Sequence, residues 1–159
     1  MDTPYEKLLE NLAHAEVKFI LVGGLAVALN GFVRTTEDVD ILVEASPENL
    51  GRLLQSLASF GEGHACELCV ADFDENEGAV RIIEDFPLDV FTVMRGQRYS
   101  DLIGSVRKTR INDIAVSFLN SEALIALKIN SEREKDQIDV AALRSKNSPK
   151  KRIDENSAL

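Results

Sequence analysis

The residues of this chain that could do chemistry lie between positions 22 and 43, in the sequence VGGLAVALNGFVRTTEDVDILV. Asp38 and Asp40 are two positions apart on a predicted strand, so their side chains share one face while Val39 and Ile41 point to the other. Two carboxylates this close on an otherwise apolar strand are costly unless a cation neutralises them. We therefore favour a divalent metal ion over the alternative of two solvated aspartates at a strand end.

A third carboxylate, Asp89, lies in the apolar segment FPLDVFTVM, which predicts a second buried strand. Its neighbours Leu88 and Val90 point away from it, so Asp89 stands alone on its face. If the two strands are adjacent, the three carboxylates converge and provide the hard oxygen ligands that Mg²⁺ prefers. Two such ions can activate an attacking hydroxyl and stabilise a leaving phosphate oxygen. The alternative is an edge position at which Asp89 faces water.

The Gly23-Gly24 pair precedes a predicted short helix. Backbone N–H groups at such a turn are not obstructed by a Cβ, which suits the binding of phosphate. The alternative is a tight strand-to-helix turn with no ligand, and the two interpretations are compatible. Arg34, in the loop before the aspartates, is a candidate for phosphate contact, although a loop arginine is usually solvated.

The elements that must position these residues follow an α/β (α+β) pattern. Apolar runs predict strands at 19–22, 39–43, 65–71, 80–83, 88–93, 109–111 and 114–119. Helical spacing and capping residues predict helices that begin near Pro4, Leu25, Pro47, Ser100, Ser121 and Glu134. This order predicts a mixed β-sheet with flanking helices on its faces.

Length and composition indicate one globular domain. The 159 residues are 45% apolar and 28% charged, and we expect a domain over 1–144 followed by a polar, flexible tail over 145–159. The net charge of −9 argues against a nucleic-acid coat protein, which needs a basic surface. No apolar run could span a membrane and the acidic N-terminus is not a signal peptide, so we expect a cytoplasmic protein. Cys66 and Cys69 lack further zinc ligands, so packed thiols are expected there.

The ordered set of motifs resembles the signature of the DNA polymerase beta-like nucleotidyltransferase superfamily. Gly23-Gly24, then thirteen residues, then Asp38-Val39-Asp40-Ile41 matches its Gly-Gly and Asp-x-Asp pattern over roughly residues 17 to 93. The resemblance implies the nucleotidyltransferase fold, with Asp38 and Asp40 binding the metals that hold an incoming NTP. It implies that Asp89 helps to bind the metal that activates the acceptor hydroxyl.

The C-terminal segment LKINSEREKDQIDVAAL resembles the third motif of the AbiEii-type toxin nucleotidyltransferases. This resemblance implies that Lys128, with an aspartate of the following helix, supports the nucleotide site. Asp136 and Asp139 are three residues apart and share a helical face. A solvated helix face or an ion pair with Arg133 or Lys135 is the alternative interpretation of these two aspartates.

Together these features predict a metal-dependent nucleotidyltransferase. It would transfer an NMP group from an NTP to a hydroxyl of an unidentified acceptor, with Mg²⁺ or Mn²⁺ as cofactor and pyrophosphate as product. An RNA such as tRNA, a protein and a small molecule all stay open as acceptors. The alternative is a non-catalytic module of the same fold that acts as an antitoxin or a regulatory partner in a toxin–antitoxin pair.

Overall fold

A computed structural model describes residues 3–32, 38–129 and 134–147 of the chain. The helices are α1 (Pro4–His14), α2 (Gly23–Leu29), α3 (Pro47–Ala58), α4 (Tyr99–Leu102), α5 (Ser121–Lys128) and α6 (Glu134–Asn147). The strands are β1 (Phe19–Val22), β2 (Val39–Val43), β3 (Ala79–Ile83), β4 (Pro87–Phe91), β5 (Val93–Met94), β6 (Gln97–Arg98), β7 (Val106–Ile111) and β8 (Ile114–Leu119). Six of these strands form one mixed sheet, which confirms the predicted α/β architecture.

The order of strands across the main sheet is β3-β4-β2-β1-β8-β7. β2 runs parallel to β4, and β1 runs parallel to β8, while the other neighbouring pairs are antiparallel. β5 and β6 form a separate two-stranded ribbon. The two aspartate-bearing strands, β2 and β4, are therefore neighbours near the middle of the sheet, as the predicted convergence of carboxylates requires.

The two faces of the sheet differ in their chemistry. On one face Leu8 of α1 and Leu57 of α3 pack near Ile82 and Leu88 of the sheet, around a small apolar space. The other face carries Asp40 and Asp89; Gly23 at the start of α2 lies against Asp40, and α5 packs against α2. The helices α1 and α3 thus complete an apolar layer behind the sheet, and the polar residues lie on the opposite side.

Local sequence signals account for several element boundaries. Thr3 caps α1 in a capping box with Glu6, and Ser46 caps α3 ahead of Pro47. The predicted strands 109–111 and 114–119 lie in the hairpin of β7 and β8, which turns at Asn112 and Asp113, both with positive φ.

A buried asparagine joins α3 to the start of β1 and the end of β2. The Asn49 side chain is fully buried; it accepts a hydrogen bond from the Lys18 backbone N–H at 2.7 Å. Its Nδ2 donates to the backbone carbonyls of Lys18 at 3.0 Å and Glu44 at 2.8 Å. Because both ends of its amide are hydrogen-bonded, Asn49 fixes the position of α3 relative to β1 and β2.

Several predicted elements are wrong or shifted. The strand predicted at 65–71 is a series of turns followed by the short 3₁₀ helix Val70–Asp72, because this mostly exposed stretch lacks the alternating burial of a strand and pairs with no strand of the described sheets. Cys66 and Cys69 are both exposed in it, so the expectation of packed thiols is also wrong. The helix predicted near Ser100 is only α4 and a 3₁₀ turn, and Val106 already begins β7.

The last two helices begin at the predicted residues. α5 begins at Ser121 and is capped by Asn120, whose side chain accepts a hydrogen bond from the backbone N–H of Ala123 at 2.9 Å. α6 runs from Glu134 to Asn147. No helix of the described residues is long and apolar enough to cross a membrane.

Candidate functional site

The site is built on the register of two parallel strands. Asp40 of β2 and Asp89 of β4 are direct partners across the strand pair, so their side chains lie next to each other on one face of the sheet. Asp38 stands immediately before β2 and shares this face with Asp40. The structure thus brings Asp38, Asp40 and Asp89 together at adjacent strands.

Gly23 packs directly against this carboxylate group. It joins the end of β1 to the start of α2, has a φ of +67°, and follows Val22, which is the partner of Asp40 in the β1–β2 ladder. A Cβ added at Gly23 would overlap the Asp40 carboxylate. Glycine is therefore required here by both the backbone conformation and the close approach of Asp40.

Arg81 is the residue of the site that sequence reasoning missed. It lies on β3 directly across from Asp89, and its Nε and Nη2 each donate to an Asp89 carboxylate oxygen at 2.8 Å. The same Nη2 donates to Asp38 Oδ2 at 3.2 Å. A signal was present in the sequence, because residue 81 lies on the predicted strand 80–83, which a short break separates from the predicted strand 88–93 that carries Asp89.

The pKa of Asp40 is raised by its surroundings. Burial, together with the neighbouring carboxylates of Asp89 and Asp38, raises the pKa of Asp40 to about 7, while the positive charge of Lys128 acts in the opposite direction. The Asp89 carboxylate beside Arg81 raises the pKa of that guanidinium, so Arg81 stays charged. Among the described side chains, Arg81 brings one positive charge to the three carboxylates, which leaves an excess of negative charge.

Lys128 lies at the end of α5 in a nearly buried ionic cluster. Its Nζ is 2.7 Å from Asp136 Oδ1 and 3.3 Å from Asp139 Oδ2, and both aspartates belong to α6. The Asp139 side chain is only 1% exposed. The interpretation of Asp136 and Asp139 as a solvated helix face is therefore wrong. These two aspartates of α6 hold the Lys128 ammonium, whose positive charge still lowers the pKa of Asp40. Arg34 and Arg133 lie outside the described residues.

The donor chemistry of the site fits a divalent cation, although the ligands are not gathered around one point. Within residues 3–32, 38–129 and 134–147, no three His, Cys, Asp or Glu side chains are arranged to hold a metal ion. Asp38 and Asp89 instead direct carboxylate oxygens to the Arg81 guanidinium, with which both form ion pairs. A positive group already stands among these carboxylates, and their oxygens are the type that Mg²⁺ and Mn²⁺ prefer.

The family model for "Nucleotidyltransferase of unknown function (DUF6036)" matches residues 3–147 of the sequence. The chain belongs to this nucleotidyltransferase family. The predicted membership in the nucleotidyltransferase superfamily is therefore confirmed, and with it the general class of reaction, transfer of a nucleotidyl group. A search of curated proteins gave no match.

Solved structures show the same fold at low sequence identity. The lincosamide antibiotic adenylyltransferase LnuA with bound lincomycin has a TM-score of 0.63 and 19% identity, over 92% of this chain and 98% of that chain. A nucleotidyltransferase from Thermotoga maritima, described as putative, has a TM-score of 0.58 and 16% identity, over 87% and 88% of the two chains. ANT(2")-Ia in complex with adenylyl-2"-tobramycin has a TM-score of 0.56 and 15% identity, over 94% and 92%.

Proposed function

We propose that this protein is a Mg²⁺- or Mn²⁺-dependent nucleotidyltransferase that moves an NMP group from an NTP to a hydroxyl of an acceptor. The observation that carries the proposal is the pairing of Asp40 with Asp89 in register on adjacent strands, next to Asp38, in a chain of a nucleotidyltransferase family. A cytoplasmic location, predicted from the sequence, agrees with a supply of NTP.

In the proposed reaction the acceptor oxygen attacks the α-phosphorus of the NTP. A new P–O bond forms, the bond from the α-phosphorus to the bridging oxygen breaks, and pyrophosphate leaves with the electron pair. The divalent ion would neutralise phosphate charge and polarise the acceptor hydroxyl when bound. Asp38 and Asp40 would hold it, and Asp89 would help to activate the acceptor hydroxyl, whose proton would pass to water.

Other residues would position the triphosphate. Gly23 and Gly24 begin α2, and Gly23 lies beside Asp40 with no Cβ to block its backbone. This open backbone at a helix start supports the proposal that the turn faces the phosphates. Lys128 adds a positive charge near Asp40. Because Asp136 and Asp139 hold the Lys128 ammonium in place, we propose that Lys128 attracts the phosphates by its charge and does not contact them directly. Arg34 remains a predicted phosphate contact.

A small-molecule acceptor is favoured over RNA. This chain spans 98% of LnuA, so the shared fold has the size of an antibiotic adenylyltransferase. The net charge of −9 also disfavours a polyanionic acceptor and favours a neutral or cationic one.

The test is incubation with each α-³²P-labelled NTP and Mg²⁺ or Mn²⁺, with lincomycin, tobramycin, tRNA and no added acceptor as separate arms. Wild type is compared with Asp40→Asn and with Asp85→Asn, which makes the same change at an exposed residue of the turn between β3 and β4. We expect label transfer and pyrophosphate release by wild type and Asp85→Asn, and a loss of at least about 100-fold in Asp40→Asn, the order of effect of removing an electrostatic catalytic group. Equal activity in all three proteins would contradict the proposal.

The non-catalytic alternative has one observation in its favour, which is the arginine that already bridges Asp38 and Asp89. Calorimetry with NTP and Mg²⁺ separates the two functions. Binding that requires the metal supports the enzyme, while no binding at millimolar concentrations, together with no label transfer, supports the module.

A further inference from the structure

We propose that Arg81 is an internal counter-ion which occupies the cation position of the site and is displaced when a divalent metal ion binds. This inference rests on the proposed function and deepens it, because it assigns a role to a residue outside the carboxylate set. The geometry that points to it is the bridge from one guanidinium to both Asp38 and Asp89.

The contacts of Arg81 resemble those of a cation shared between ligands. The guanidinium takes both oxygens of Asp89 in a two-pronged pair and reaches one oxygen of Asp38 with the same Nη2. These are oxygens that a metal ion at the site would need. A metal ion and the Arg81 guanidinium therefore compete for the same ligands.

The position of Arg81 allows it to leave. β3 is the edge strand of the sheet, and the Arg81 side chain is 51% exposed, in contrast to 11% for Asp89. A long side chain at an exposed edge can change rotamer without opening the apolar core, and water is available to solvate the released guanidinium. The neighbouring Ile82 points to the opposite, apolar face and holds the strand in place.

The charge balance explains why such a counter-ion is useful. Three neighbouring carboxylates without a cation would repel one another, and Arg81 neutralises part of this charge in the metal-free protein. When a divalent ion takes over that task, the displaced guanidinium is left at the rim of the site with its charge intact. Arg81 is therefore a counter-ion of the metal-free protein: it pairs with Asp38 and Asp89 until a metal ion replaces it.

The experiment compares Mn²⁺ binding to wild type, Arg81→Gln and Arg110→Gln by calorimetry and by electron paramagnetic resonance of free Mn²⁺, without nucleotide. Arg110→Gln removes an equal charge from exposed β7, at the far edge of the sheet. We expect Arg81→Gln to bind Mn²⁺ about tenfold more tightly than wild type, since the competitor is gone, a difference of about 1.4 kcal/mol. Arg110→Gln should bind like wild type.

A second measurement uses the wild-type protein and does not depend on how well a variant folds. The Arg81 Nε–H, held against Asp89, should give a slowly exchanging NMR signal that shifts and loses its protection on titration with Mg²⁺, with the midpoint of metal binding. Mn²⁺ binding that is unchanged or weaker in folded Arg81→Gln, or an Nε–H signal that Mg²⁺ leaves unchanged at saturation, would overturn the role of Arg81 alone. Failure of all the proteins to bind either metal would overturn the metal dependence of the proposed function as well.

Discussion

Replacement of Asp40 by asparagine should stabilise the metal-free protein, although it removes a proposed catalytic group. The asparagine side chain would keep the shape of the aspartate and lose its charge. In the folded protein the pKa of Asp40 is raised to about 7 from an ordinary value of 3.8, first by burial and then by Asp89 and Asp38. The charged carboxylate therefore opposes folding at neutral pH, as is common for groups that serve a functional site.

The magnitude follows from linkage. The folded state binds the proton more tightly than the unfolded state, so stability falls as pH rises from about 4 to about 7, and the loss is complete above that range. A pKa difference of about three corresponds to at most about 4 kcal/mol. Since Asp40 is partly exposed and local water can relax around it, we expect a net gain of ~2 kcal/mol for Asp40→Asn at pH 8.

The assay is urea unfolding in EDTA at pH 4, 6 and 8, with Asp85→Asn as the matched control. The gain in the free energy of unfolding for Asp40→Asn should be small at pH 4, increase through pH 6 and be largest at pH 8. Saturating Mg²⁺ should reduce the gain, because it stabilises wild type more than the variant. A variant that is equal to or less stable than wild type at pH 8 would refute the idea that this carboxylate is crowded and uncompensated.

Three further substitutions test the framework of the site by chemical denaturation. Gly23→Ala should lower the free energy of unfolding by about 2–4 kcal/mol, because the new Cβ meets the Asp40 carboxylate and the residue has a positive φ. The control Gly51→Ala, in open space on α3, should leave the free energy of unfolding unchanged or raise it. Equal effects of the two substitutions would contradict the crowding at Gly23. Asn49→Ala should cost about 3 kcal/mol through three lost hydrogen bonds, and a cost below about 1 kcal/mol would show that they are dispensable. Lys128→Met should cost about 3 kcal/mol by leaving the α6 carboxylates without their ammonium, and no change would show that the ion pair does not hold α6.

The central part of the fold was predictable because its signals are local. The strands 19–22 and 39–43 are short apolar runs, and the capping residues Thr3 and Ser46 mark helix starts in the sequence itself. The Asp-x-Asp spacing places both side chains on one face of any strand. These features do not depend on distant parts of the chain, so sequence reasoning could reach them.

The errors lie where tertiary pairing decides the outcome. The segment 65–71 has enough apolar residues for a strand but pairs with no strand of the described sheets, so its backbone forms turns. Arg81 was missed because an arginine on a strand does not by itself indicate a site. Its role depends on the register of β3 and β4, which places it opposite Asp89. The contact of Lys128 with Asp136 and Asp139 joins two helices, and it depends on how α5 and α6 pack.

The central claim is that Asp38, Asp40 and Asp89 form one metal site at which an NTP is bound. The most direct measurement is a crystal structure with Mn²⁺ and a non-hydrolysable NTP analogue, with anomalous diffraction used to locate the manganese. The account predicts an anomalous peak within coordination distance of carboxylate oxygens from Asp40 and at least one of Asp38 and Asp89, with the Arg81 guanidinium moved away and the triphosphate beside Gly23. Bound nucleotide with no manganese at these carboxylates, or manganese bound only elsewhere, would contradict it.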